Sequence, residues 1–317
     1  MGNQRVFYAC QGVCYNGTPV EGVQSITLNT SQQVVDVPNF GSLTIHKNVP
    51  NYPVVNITMT RILTSGSGPL YSGTLLENIN KHNNYICLFV GEDTKRFVHK
   101  STTTQNVYIT GVSINSVNYN LGTDGSFTEE IGFLAYYKEL NNCPVDKSIF
   151  ENMNDSATNS SGISTTMQRQ HLILESSNIG GGLIPNDSRI QSISCGANFN
   201  IQNINEFGSN LSNPTGTFRY ATFPVDTNIS VEVLSSGDFD YFNIDPNDSA
   251  THMCGNTILN YTTGIRLLFH LCGGYNLDCG TGILMSTDYG GASTDGDNAT
   301  VTLNFKSQNA LSLTQDI

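Results

Sequence analysis

The chain has no tryptophan, only 13% charged residues, and just 14 lysines and arginines against 26 acidic residues. Tight, sequence-reading binding of nucleic acid is therefore not expected, because neutralisation of phosphates by cations supplies most of that affinity. No apolar run approaches the roughly 18 residues that a membrane-spanning helix needs. The stretch VFYACQGVCY near the N-terminus is too polar for a signal peptide, so synthesis and assembly in a cytoplasm are expected. Catalytic motifs are also missing: there is no Gly-x-Ser-x-Gly, no Gly-x-x-x-x-Gly-Lys-Ser/Thr and no His-Glu-x-x-His. Gly66, Gly68 and Gly180–Gly182 lack the strand and helix context of a phosphate cradle. A non-enzymatic protein without cofactor is expected.

Asn, Thr, Ser and Gly dominate what is present, with 14 tyrosines and 15 phenylalanines, a mixture that favours strands and turns. At 317 residues the length suits about two domains. Self-comparison supports that division. Val23–Leu43 aligns without a gap on 190–210: Gln24-Ser25-Ile26 recurs as Gln191-Ser192-Ile193, and Phe40-Gly41-Ser42 as Phe207-Gly208-Ser209. Tyr52-Pro53-Val54 then matches Phe223-Pro224-Val225, Asn56 starts a strand matched from Asn228, and Thr123-Asp124-Gly125 matches Thr294-Asp295-Gly296.

Period-two alternation marks the strands. Val55, Ile57 and Met59 alternate with Asn56, Thr58 and Thr60, as Ile229, Val231 and Val233 do with Asn228, Ser230 and Glu232. Ala299–Phe305 alternates cleanly, and Phe127–Phe133 less so because Glu129 occupies an apolar position. The expected fold is mainly β: two tandem homologous antiparallel sandwich or barrel domains, 1–141 and 188–317, joined by a linker at 142–187. That linker has ordered pieces at Ile149-Phe150 and Leu172–Leu174. Leu70–Ile79 places Leu75, Leu76 and Ile79 on one side of a short helix.

Eight cysteines without a secretory signal read as reduced, buried thiols. Cys10/Cys14 and Cys272/Cys279 are conceivable disulfide pairs, which a reducing compartment disfavours. His252-x-Cys254 and His270-x-Cys272 have strand spacing for Zn²⁺, yet Cys272 lies in an apolar strand and packing is the simpler account. Asp238, Asp240, Asp245, Asp248, Asp295 and Asp297 lack the spacing of a calcium loop and read as solvated turns. No metal is expected.

The VQSI/IQSI strand, the FGS turn, the YPV/FPV entry and the closing TDG strand resemble the tail tube proteins of tailed phages. The resemblance implies sandwich domains that assemble into stacked rings around a DNA channel. It implies a virion tail subunit in which three two-domain chains form a trimeric ring with pseudo-sixfold symmetry. Its partners would be tape measure, terminator and baseplate components, and DNA would pass without sequence-specific binding. Three chains at −12 each would give an acidic ring that keeps DNA mobile. Asn56, Thr58, Thr60, Asn228, Ser230 and Glu232 are the expected lumen-facing positions. Two alternatives stay open. One is another virion ring component, such as a tail terminator or head-surface protein; the other is a carbohydrate- or receptor-binding module, which the lack of tryptophan disfavours.

Overall fold

The computed structural model describes residues 11–41, 45–50, 53–64, 69–74, 77–78, 84–91, 98–101, 104–123, 125–151, 166–169, 172–174, 189–205, 217–234, 265–271, 274–290, 299–308 and 310–315. The first half contains β1 (Gln11–Tyr15), β2 (Thr18–Pro19), β3 (Val23–Ser31), β4 (Val34–Pro38), β5 (Ile45–Pro50) and β6 (Val54–Ile62). It continues with β7 (Gly73–Thr74), β8 (Asn84–Gly91), β9 (Thr104–Gly122), β10 (Thr128–Ala135) and β11 (Tyr137–Leu140). The second half contains β12 (Leu172–Leu174), β13 (Ile190–Asn198), β14 (Ile201–Asn205), β15 (Thr217–Ala221) and β16 (Asp226–Leu234). It ends with β17 (Ile265–Leu271), β18 (Tyr275–Gly290), β19 (Thr300–Gln308) and β20 (Ser312–Gln315). The fold is mainly β, and every pairing among the named strands is antiparallel.

Eight strands form an inner sheet in the order β3-β6-β10-β9-β13-β16-β19-β18. Each half supplies four consecutive members in matching order: β3, β6, β10 and β9 correspond to β13, β16, β19 and β18. The registers agree as well. Ile26 pairs with Met59 and Met59 with Ile131, as Ile193 pairs with Val231 and Val231 with Leu303. One β9–β13 junction therefore joins two four-stranded units into a single sheet.

An outer sheet packs over each unit. In the first half its order is β2-β1-β8-β9-β11, and in the second β12-β17-β18-β20-β7. The long strands β9 and β18 serve both layers. β9 pairs with β8 over its first part and with β10 over its second, and the change falls at Gly111, whose φ is +63°. β18 changes partner from β17 to β19 just past Gly280, φ +71°. Left-handed backbone is available to glycine at little steric cost, so each strand turns the corner there. Alternate residues of β6, β10, β16 and β19 (Ile57, Phe133, Val231 and Leu303 among them) fill the space between the layers in one core continuous across both halves.

The described parts of residues 142–187 contact both halves. Lys147–Phe150 is a 3-10 turn whose Phe150 packs edge-on against Phe89, with centroids 5.4 Å apart. Thr166 and Gln168 bridge to Thr64 and Ser126, burying Met167, while β12 pairs with β17 as β1 pairs with β8. The helix expected at Leu70–Ile79 starts later, after Thr74. Gly73 and Thr74 pair with β20, and among the described residues of this stretch only Glu77 and Asn78 are helical. Thr74 and Glu77 explain the boundary: the Thr74 N–H donates to Glu77 Oε2 (2.8 Å) and the Glu77 N–H to Thr74 Oγ1 (3.4 Å), a reciprocal helix-start bond pair. Leu75, Leu76 and Ile79 lie outside the described residues.

Candidate assembly surface

The six polar positions expected from alternation share one face of the inner sheet. Thr60 lies opposite Glu130, Glu130 opposite Asn118, Asn118 opposite Gly196, Gly196 opposite Asn228 and Asn228 opposite Lys306. Directly opposed residues point to the same side, so this row crosses both repeats without changing face. Asn56 and Thr58 sit on the same side of β6, and Ser230 and Glu232 on the same side of β16. Asn56, Thr58 and Asn228 are exposed; Thr60, Ser230 and Glu232 are half-buried. A groove of about 630 Å³ runs along this face, lined by Ser116, Asn118, Ser194, Asn198, Asn228 and Ser230 among others.

Side chains on this face are mostly satisfied by one another. Ser192 Oγ donates to Glu232 Oε2 at 2.9 Å, and Asn304 Nδ2 donates to Ser286 Oγ at 3.0 Å and to Asp288 Oδ2 at 2.8 Å. Lys306 pairs with Asp226 at 2.8 Å. Asp226, Glu130, Glu232 and Asp288 give the described strands four carboxylates on this face, against the single ammonium of Lys306. The opposite, apolar face is covered by the outer sheets, so the polar face is the one left open.

The two ends of the inner sheet differ from its centre. At the β9–β13 junction Tyr119 is fully buried, whereas its counterpart Tyr289, one residue before the end of β18, is 51% exposed. Ile283 and Met285 are also exposed on that strand. At the other end, Ile26 and Leu28 of β3 are half-buried, while their counterparts Ile193 and Cys195 are fully buried. Sequence alternation identified the face but not these edges, because edge status depends on which strand lies beside which.

Two hairpins extend from the sandwich at equivalent places in the halves, β4–β5 and β14–β15, each a separate two-stranded sheet, the second rooted on the core by Ile201 and Ala221. Val34, Val35, Val37 and Val49 are exposed on the first, and Phe40 at its tip is fully exposed. The repeated FGS turn thus opens this hairpin's tip, with Gly41 at φ +84°; Phe207 and Gly208 lie outside the described residues.

The cysteines depart from expectation. Cys87 and Cys143 are joined as a disulfide across 56 residues of sequence, with Cα atoms 6.0 Å apart, in place of two reduced thiols. The reason is topological: Cys87 lies in β8, and the segment after β11 returns beside it. Cys14, Cys195 and Cys279 are buried free thiols, and burial pushes the Cys14 and Cys279 thiols up. His270 is in β17 with its Nδ1 against Asn276 Oδ1; His252, Cys254, Cys272 and Cys10 lie outside the described residues, as do Asp238, Asp240, Asp245, Asp248, Asp295 and Asp297.

No family model matches the chain, and no curated protein matches it in sequence. Among solved structures it is similar to the cap that terminates the tube of the anti-feeding prophage, at 11% identity and a TM-score of 0.33, covering 45% of this chain and 95% of that one. It is also similar to a chain of the sheath–tube complex of an extracellular contractile injection system in its extended state, at 12% identity and a TM-score of 0.32, covering 44% of this chain and 93% of that one.

Proposed function

We propose that the chain is a tail tube subunit that closes into a trimeric, pseudo-sixfold ring, and that such rings stack into a conduit for DNA. The observation that carries this reading is the inner sheet: one β9–β13 junction is made within the chain, and among the described residues the equivalent strands β18 and β3 are its two edges. Because the two units follow one another in the same order, the contact is head-to-tail and repeats until a ring closes. Closure also removes edge strands that would otherwise recruit other chains at random.

The intrachain junction supplies the register of the interchain one. Tyr119 faces Cys195, Asn118 faces Gly196 and Val117 faces Ala197. Transferred to the equivalent strands, Tyr289 faces Leu28 of the next copy, Asp288 faces Asn29 and Thr287 faces Thr30. Three chains of eight inner strands give a 24-stranded barrel with a backbone diameter of about 50 Å at ordinary strand spacing and tilt. The bulk of the outer sheets places them on the longer, outer circumference, so the open polar face with its excess of carboxylates lines the channel. Hydroxyl and amide groups hold water, and the carboxylates repel phosphate over about one Debye length, roughly 8 Å at physiological salt. The role is geometric and non-catalytic. Electron microscopy of the concentrated protein tests it: stacked rings with a channel are expected, rings that never stack indicate a terminator, and monomers that bind a glycan indicate a recognition module.

A further inference from the structure

A cluster of reactive side chains lies away from the polar face. Cys14 of β1 stands directly opposite Cys87 of β8, and both are buried. Half-buried Cys143 joins them from the segment after β11, held by its backbone N–H, which donates to Asn106 Oδ1 at 3.0 Å. The three sulfur atoms all lie within 4.8 Å of one another. The tight Asn16–Gly17 turn, with φ of 50° and 83°, closes the chain just beyond Cys14. Phe89, Val98 and Phe150 wall the cluster, and solvent is reached on the Cys143 side.

We propose that in the reduced chain Cys14, Cys87 and Cys143 form a three-thiolate site for a soft metal ion, Zn²⁺ foremost. Tetrahedral zinc with Zn–S bonds of about 2.3 Å holds its sulfurs about 3.8 Å apart, so side-chain adjustment suffices. Burial opposes an isolated thiolate, and a divalent cation supplies the charge that offsets three of them together. Three protein ligands leave a fourth position for water at the solvent side.

The chemistry balances simply. A reductant of the dithiol or phosphine class supplies two electrons to the Cys87–Cys143 bond, two protons complete the thiols, and the reductant leaves oxidised. Zinc then displaces one proton from each of three thiols into solvent, so binding tightens as pH rises. The ion would hold β1, β8 and the segment carrying Phe150 together in a reducing compartment, where the disulfide would not persist.

The test uses the full chain, purified without oxygen in a phosphine reductant and titrated with Co²⁺, then Zn²⁺. Expected are one zinc per chain by elemental analysis, a sulfur-to-cobalt charge-transfer band that Zn²⁺ displaces, and tighter binding at higher pH. The half-buried Cys143→Ser change should remove the band while far-ultraviolet circular dichroism stays unchanged; Cys195→Ala should keep it. Absence of metal from reduced, folded protein overturns the proposal, as does a band that survives in folded Cys143→Ser.

Discussion

The most informative residue pair is Arg61 with Glu129. They face each other across β6 and β10, fully buried, with Nε and Oε2 2.5 Å apart. Glu129 also accepts from the Tyr119 hydroxyl at 2.9 Å and from the N–H groups of Leu70 and Tyr71 at 3.2 and 3.4 Å. The second half answers the same cross-strand position with Val233 and Val301, both buried. A hydrophobic pair therefore suffices for the strands, and the ion pair's distinct task is to pin the Leu70–Tyr71 segment to the sheet. Tyr71 in turn stacks on Phe199 and donates its hydroxyl to the Leu311 carbonyl at 2.8 Å, tying the halves together. Glu129→Ala should cost about 3–5 kcal/mol by leaving the guanidinium buried and unpaired. Arg61→Val/Glu129→Val should recover part of that loss in denaturant unfolding; a double variant no more stable than the single would contradict this reading. In the sequence, Glu129 showed only as a flaw in an alternating strand, because its partner is 68 residues away.

Tyr15 supplies a pH test at the same scale. Burial raises its hydroxyl from 10.0 to about 12. A raised folded value means stability that is complete below the unfolded value and lost as pH climbs through the folded one. Unfolding measured between pH 10 and 12 should thus show stability falling with pH, and Tyr15→Phe should make the fall shallower. An unchanged slope would rule Tyr15 out as a contributor.

Elements carry the next level of the design. β9 and β18 can each belong to two layers only because Gly111 and Gly280 bend them. A Cβ at Gly111 would lie 2.1 Å from Tyr136 Cδ2, and one at Gly280 2.1 Å from the Ala310 Cβ. Gly111→Ala should cost at least about 1–3 kcal/mol for backbone strain alone. Thermal unfolding checks it, and a neutral result would mean that the corner lies elsewhere. The β4–β5 hairpin is a different kind of element. A two-stranded sheet with apolar side chains in water is marginal alone, and the tube reading gives it the neighbouring ring as a partner. Val35→Glu should then abolish stacking while leaving rings intact in electron micrographs.

Alternation made β6, β16 and β19 legible in the sequence, because one face of each meets the core and the other meets water. The repeat made the matching order of the halves legible too. Three things were not. Where the helix starts depends on Thr74 capping with Glu77 while pairing with β20, a strand more than 230 residues later. The Cys87–Cys143 bond joins distant segments, which spacing cannot show. The part of β12 in the second outer sheet was hidden in a stretch of Ser, Thr, Asn and Gly, although Leu172–Leu174 itself stood out.

At the scale of the whole molecule, the described residues form one inner sheet with an edge strand at each end. Its edges are more exposed than its centre, Tyr289 at 51% against a fully buried Tyr119, and the proposed ring covers them with a second copy. Tyr289→Glu should leave a folded chain that stays monomeric in sedimentation. Conversely, Leu28→Cys/Tyr289→Cys should yield covalently linked trimers on oxidation, with neither single variant doing so. The most direct measurement is image averaging of the assembled particle by electron cryomicroscopy. Three chains per ring, 24 inner strands and β18 paired with β3 of the next copy in the register of β9 with β13 are predicted; six full chains per ring, or a chain that remains monomeric at high concentration, would contradict the account.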